Sequence, residues 1–327
     1  MTIPSAKMSC YRFNMAEQRV RQFRVQSHAR GEAFLSYCVW DRESSEAVFV
    51  DPHKSLIQEY VDFASQLKLK PTRCVETQTQ APETSALQAL IGQFRVPGVE
   101  GPIRLGASDL TILPTPGVQE DSICLKGHGF VLTGQTLWIG ASSAFTMPGG
   151  DADTLWKSLA LLRKTLAPND LVFPGYDVRE LCFSTWKTEL EKNSDLLARD
   201  SSILRRLKQD PELHTHQGNL NTSDHTNISV EKFSQKRAYN QELILLDIRE
   251  PEEFREGHPA GAENMPLSEL AFQLERLRKS KRIYLCCQTG RRSPLAASTL
   301  SYVGMNDVLV LTGGFQAWLN AGLPVEK

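Results

Sequence analysis

The chain has 327 residues, about twice the usual domain length, so two domains are expected and a single small module is excluded. Hydrophobic residues make up 41% and charged residues 23%, a globular composition that rules out wholesale disorder. With 37 Lys+Arg against 38 Asp+Glu, the formal charge of −1 leaves no positive surplus to hold a phosphate backbone, so no nucleic acid partner is expected.

The opening segment, MTIPSAKMSCYRFNMAEQRVRQFRV, lacks the apolar centre of a secretory signal, and Arg19, Arg21 and Arg24 interrupt its later part. Nowhere does the chain reach the roughly 18 to 20 continuous apolar residues of a membrane helix. The expectation is a cytoplasmic protein with no membrane partner. Seven cysteines (10, 38, 74, 124, 182, 286 and 287) are odd in number and lie mostly in apolar runs, which reads as reduced thiols rather than a disulfide framework.

From Arg24 to Pro52, β-rich runs (FRVQ, AFLSYCVW, AVFVDP) alternate with turn signals and predict a hairpin-like opening. Leu56, Ile57, Tyr60, Val61, Ala64 and Leu67 recur at helical spacing. A strand near Arg73 to Glu76, the loop TQTQAPE and a helix through SALQALIGQF follow. Strands are then predicted at 110 to 113, 130 to 133 and 137 to 140, and helices at 153 to 166 and 180 to 207. Strands mixed with helices in this order give an α/β layered domain.

Residues 208–227 are polar, without periodicity, and form the expected connector between a first domain at 1–207 and a second at 228–327. The second domain alternates strand LILLDI, loop REPEEFREGHPAGA, a helix from Ser268 to about Arg278, strand RIYLCC, a helix from Pro294 to Tyr302, strand VLVLTG and a last helix FQAWLNAG. That pattern predicts a small parallel-sheet domain.

The strongest chemical feature is Cys287-Gln288-Thr289-Gly290-Arg291-Arg292-Ser293-Pro294, between an apolar strand and a helix. A strand, a tight loop and a helix start point backbone N–H groups at an anion. Ser293 is expected as N-cap and Pro294 as first helical residue. The helix dipole and Arg292 would then favour the Cys287 thiolate, the form that attacks. Gly290 lets the loop curl. Such a cup suits a terminal negative sulfur, as in thiosulfate or a persulfide, with Gln288, Thr289, Gly290, Arg291 and Ser293 as binding residues. Cys286 should face the other side of the strand as core filler.

Residues 228–327 resemble a single rhodanese domain. LLDIREPEEFREGHPAGAENMP is similar to that family's D-x-R-x-x-x-E-[FY]-x-x-G-H-[IV]-x-G-A-x-[NH]-x-P signature, and LTGGFQAWLNAGLPV to its closing G-G-x-x-x-W-x-x-A-G-x-P-V. The resemblance puts the family's catalytic cysteine at Cys287 and its six-residue loop at Cys287 to Arg292. Related phosphatases carry a loop one residue longer, so the resemblance implies sulfur chemistry. Pro259 departs from the usual branched aliphatic. Asp247, Arg249, Glu253 and His258 are expected to brace loops, and Trp318 to fill core.

Residues 24 to about 222 resemble metallo-β-lactamase-fold proteins of the persulfide dioxygenase (glyoxalase II-like) group, through DRESSEAVFVDP, LTGQTLWIG, FPGYDV, FSTWKTELEKNSDLL and QGNLN. Where that group reads T-H-x-H-x-D-H, this chain has Thr77-Gln78-Thr79-Gln80-Ala81-Pro82-Glu83. Its T-P-G-H-T is Thr115-Pro116-Gly117-Val118-Gln119, its bridging Asp is Gln135 and its final His is Tyr176. Gln, Val and Tyr are poor ligands for iron or zinc. The expected site therefore has no metal and no cofactor. His214 and His216 form an H-x-H in the connector without a third ligand in view, and His28, His53 and His128 are scattered.

The expected fold is thus a metallo-β-lactamase-like αββα sandwich followed by a rhodanese-like α/β domain with a small parallel sheet. The expected function is a sulfurtransferase in which Cys287, with Arg292, moves sulfane sulfur from thiosulfate or a persulfide to a thiol or cyanide. The first domain would serve docking, substrate capture or dimerisation, so a homodimer stays open. Competing readings are a non-catalytic persulfide sensor and a retained metal-dependent dioxygenase.

Overall fold

The computed structural model describes residues 18–26, 32–96, 102–143, 149–209, 226–240, 243–280 and 282–327. Cys10, His28 and most of the 208–227 connector, with His214 and His216, lie outside the described residues.

Two sheets form the first domain. One orders β1 (Gln18–Gln26), β2 (Ala33–Asp41), β3 (Glu46–Val50) and β4 (Lys70–Val75) side by side, with β10 (Tyr176–Asp177) also on β2. The other runs β11 (Ser184–Thr185), β9 (Leu171–Pro174), β8 (Phe130–Gly134), β7 (Ile123–Gly127), β6 (Ser108–Pro114) and β5 (Ile103–Leu105). Strand alternation separates the layers: Val39, Val48 and Val50 face Leu125, Phe130 and Leu132 between the sheets, while Cys38, Phe49 and Cys74 face outward under the helices Ile57–Gln66 and Leu87–Phe94. On the far side, Cys124, Val131 and Val172 pack against the helix Ala152–Thr165 and Trp186. The order is helices, sheet, sheet, helices.

The second domain has a parallel sheet in the order β12 (Thr226–Ile228), β17 (Val308–Leu311), β16 (Ile283–Cys286), β13 (Ile244–Asp247) and β15 (Glu263–Asn264). Its two faces are read off by period two. Leu245, Tyr284, Cys286 and Leu309 pack under the helices Val230–Tyr239 and Gly314–Asn320, whereas Leu246, Leu285, Cys287 and Val310 pack on the opposite face with Ala296 and Leu300. β14 (His258–Pro259) pairs with β18 (Val325–Glu326).

That second face has no separate core. Leu270, Leu274, Leu285 and Ala296 belong to one continuous apolar cluster with Leu35, Leu132, Phe173 and Phe183 of the first domain. Polar contacts also pin the seam, among them an Arg19–Glu269 ion pair at 3.2 Å. Arg21 of β1 is ion-paired with Glu250. The Cys182 amide donates to Thr299 Oγ1 at 3.0 Å, and Lys192 Nζ donates to the Tyr302 carbonyl at 2.7 Å. Thr299 and Tyr302 both belong to the helix Arg292–Tyr302 that follows the cysteine loop.

Several predicted elements are corrected. Residues 137–140 are not a strand; Trp138 makes only an isolated bridge to Ala141. The single helix expected over 180–207 is broken into Trp186–Lys192, Ser194–Leu197 and Ser201–Gln209 after two short strands, because the Asn193 side chain accepts from the Asp195 and Leu196 amides and starts a new helix. The loop expected at 249–262 contains the helix Pro251–Glu256, with Pro at its start. β12 begins at Thr226, inside the segment read as connector.

Candidate active site

Cys287 follows the last residue of β16, and its thiol lies on the face opposite Cys286. The two neighbours differ in chemistry. Burial pushes the Cys286 thiol well above its ordinary range, with the Asp247 charge adding to the effect, and its sulfur donates to the Cys287 carbonyl at 3.5 Å. Cys287 is 1% exposed and sits at the floor of the loop. The six cysteines among the described residues are all free and buried.

The loop is folded by what it leans on. The Phe315 amide donates to the Cys287 carbonyl at 2.8 Å and the Gln316 amide to the Gln288 carbonyl at 3.0 Å, so the start of the next helix ties down the loop's carbonyls. This close approach needs Gly314: φ is +61°, and a Cβ there would lie 2.2 Å from the Cys287 carbonyl oxygen. Gly290 turns with φ of +82°. Among the described residues, the main-chain amides from Gln288 to Arg291 have no protein acceptor, and the Arg292–Tyr302 helix begins directly after them.

The side chains divide into rim and brace. Thr289 and Arg291 are exposed on the rim, and Gly290 is half-buried. Gln288 is held by Arg249, whose Nη1 donates to Gln288 Oε1 at 2.9 Å. Arg249 is itself locked by a buried ion pair to Asp247 at 2.7 Å, a bond to the Gly257 carbonyl at 2.7 Å and the face of Phe315 at 4.3 Å. Arg292 does not point freely at the sulfur. Its Nη1 and Nη2 reach Glu253 at 2.8 and 2.7 Å, a bidentate pair that raises the guanidinium's affinity for its proton. Burial alone would push the Glu253 carboxyl up, but the Arg292 hydrogen bonds and the Glu250 amide outweigh it and hold Glu253 below the usual carboxylate range. Arg292 stays close enough to Cys287 for their charges to interact.

The expected cap is corrected. The helix starts at Arg292 with Arg291 as N-cap, so Ser293 and Pro294 lie inside its first turn, where neither needs to donate to the helix. Ser293 is fully buried, and its Oγ has no partner among the described residues, so it does not line the rim. His258 stacks on Phe254 with ring centroids 3.5 Å apart, and Trp318 Nε1 donates to the Pro324 carbonyl at 2.8 Å.

The Rhodanese-like domain family matches residues 229–321. A sulfurtransferase of Allochromatium vinosum is 33% identical over 98 residues, covering 30% of this chain and 92% of that protein. The chain belongs to the rhodanese-like family. YqhL of Bacillus subtilis is 44% identical over 82 residues, and the match spans 25% of this chain and 65% of that protein. The first domain has the metallo-β-lactamase fold: ETHE1 from Myxococcus xanthus superposes with a TM-score of 0.53 at 21% identity, over 62% of this chain and 97% of that one. A metallo-β-lactamase from Staphylococcus aureus superposes with a TM-score of 0.53 at 18% identity, over 90% of this chain and 99% of that one. The protein is therefore a fusion of the two folds.

A metal would be implied by the fold of the first domain, but the residues present do not fit one. Gln78, Gln80 and Gln135 are neutral amides already bonded to Ser122, Asp51 and Trp138, and the Tyr176 hydroxyl donates to Glu32 at 2.6 Å. No group of three His, Cys, Asp or Glu side chains lies close enough together to hold a metal among the described residues. Asp51 instead organises the loop: it accepts from the Thr77 amide and hydroxyl, both at 2.7 Å, and burial raises it to about 6. No helix among the described residues is long and apolar enough to cross a membrane.

Sequence reasoning missed Lys192 and Thr299, which carry the seam. Their signal is a spatial one, since Lys192 lies 110 residues from its partner.

Proposed function

We propose that the protein is a sulfurtransferase using Cys287 as its nucleophile. The Cys287 thiolate attacks the outer sulfur of thiosulfate, the S–S bond breaks, and sulfite leaves with its bonding pair, giving a Cys–S–S⁻ persulfide. An acceptor thiolate or cyanide then attacks the outer sulfur and returns the Cys287 thiolate. In both steps charge sits on the outer sulfur, for which the unspent amides of Gln288 to Arg291 and the start of the Arg292–Tyr302 helix are the available donors. The observation that carries this reading is that run of unspent amides directly after a cysteine turned away from the Cys286 side.

Arg291 supplies the positive rim for an anionic donor. Arg292 contributes its charge from the Glu253 pair, as a positioning group more than a direct clamp. The first domain is read as a pseudoenzyme that supports the helix behind Cys287, in a cytoplasmic protein acting on small sulfur donors and thiol acceptors. The test is thiosulfate-dependent sulfur transfer by wild type and Cys287→Ser. Turnover that survives the substitution would end the assignment.

One observation favours a second reading. At 1% exposure, Cys287 suits slow persulfide storage, as in a sensor. Mass spectrometry after donor treatment separates them: an adduct of about 32 Da, one added sulfur, that thiols cannot discharge favours sensing.

A further inference from the structure

A cavity of about 390 Å³ opens in the first domain over the positions where metal ligands would stand. One side is an aromatic strip: His53, Phe34, Tyr176 and Trp138 follow one another with ring centroids 6.0, 5.0 and 5.2 Å apart. The lining also includes Gln78, Gln80 and Gln135.

Each glutamine has spent half its amide. Ser122 Oγ donates to Gln78 Oε1 at 3.1 Å, Trp138 Nε1 donates to Gln135 Oε1 at 3.0 Å, and Gln80 Nε2 donates to Asp51 Oδ1 at 3.0 Å. The remaining halves, two NH2 groups and one carbonyl, have no protein partner among the described residues. A buried or half-buried amide gains from completing its bonds, so these groups favour a ligand that supplies an acceptor and a donor.

Charge narrows the class. Among the described residues no lysine or arginine lines the cavity, and burial lowers the proton affinity of His53, so no described side chain there balances an anion. Asp51 stands in the wall, but its oxygens already take three donors and offer little to a cation. A mostly apolar cleft of this volume with a few convergent polar groups has the character of a small-molecule site.

We propose that this cavity binds an uncharged, flat aromatic or heteroaromatic carboxamide, its ring on Trp138 and Tyr176, its carbonyl accepting from Gln78 and Gln135 and its N–H donating to Gln80. Such binding is independent of the chemistry at Cys287.

The experiment is calorimetric titration of the full chain with three probes of one shape: benzamide, benzoate and benzylammonium. Benzamide is expected to bind at least tenfold more tightly than either ion. Gln135→Glu, which keeps the shape but removes the NH2 donor and adds a negative charge, and Trp138→Leu are each expected to weaken benzamide at least tenfold, with thermal melting confirming that both variants fold. Trp138→Phe, which keeps a ring, is expected to restore most of the affinity. Equal binding of the three probes, preference for either ion, or no benzamide binding would each overturn the proposal.

Discussion

Lys192, on the first domain, donates its ammonium to the main-chain carbonyl of Tyr302 at 2.7 Å and lies 4.7 Å over the Tyr302 ring. Tyr302 is the last residue of the helix whose first turn borders Cys287. One domain therefore caps the C-terminal end of the helix that serves the other's nucleophile, where a positive charge complements the helix dipole. Lys192→Met keeps the stem and removes the charge. It is expected to cost about 1 kcal/mol of stability, seen as a lower urea midpoint; an unchanged midpoint would show the contact to be idle.

Cys286 and Cys287 should respond in opposite ways in sulfur transfer. Cys286→Ala removes a fully buried thiol from the face under Trp318 and is expected to cost about 1 kcal/mol with sulfur transfer retained. Cys287→Ala, equally buried, should cost a similar amount of stability but abolish the 32 Da adduct, about one sulfur. Intact-mass and thermal measurements on both variants check the pair.

The Arg21–Glu250 contact reaches across the seam to the helix that presents Glu253 to Arg292. Without Arg21, Glu250 adds unbalanced negative charge beside Arg292 and disfavours an anionic donor. Arg21→Met is expected to raise KM for thiosulfate about 2- to 5-fold, the effect of one partly exposed ion pair, with kcat little changed. Steady-state kinetics decide it; a fall in kcat alone would contradict the electrostatic account.

Two carboxylates set separate acid windows. Asp51 is raised to about 6, so between the unfolded value near 4 and 6 the folded state holds the extra proton. Stability must then fall as pH rises through that window, by up to about 3 kcal/mol. Asp51→Asn should flatten the slope. Glu253 is depressed, so its contribution is present above the unfolded value and lost as pH falls through the folded one. Glu253→Gln should remove stability loss only below about pH 4. Urea midpoints against pH for the two variants check both signs.

Much of this was legible in the sequence because it depends on local pattern. The 3.6 spacing from Leu56 to Leu67 marked its helix to within a few residues, and strand alternation placed Cys286 and Cys287 on opposite faces. The errors arose where tertiary bonds override local preference. Ser293 and Pro294 have cap chemistry, yet the chain enters the helix earlier, at Arg292, with Arg292 held by Glu253. Asn193 splits an otherwise helical run because its side chain closes a new cap. The ties of Lys192 and Cys182 to the helix after Cys287 cross more than 100 residues, 110 and 117 respectively, and no periodicity records such a distance.

The shared apolar cluster from Leu35 through Phe173 to Leu270 and Leu300 has a consequence for the life history of the molecule. Separating the halves would lay bare a greasy flank on each, so neither can be discarded while the other is kept. The sandwich thereby forms the inner wall of its neighbour, and each half owes part of its solubility to the other.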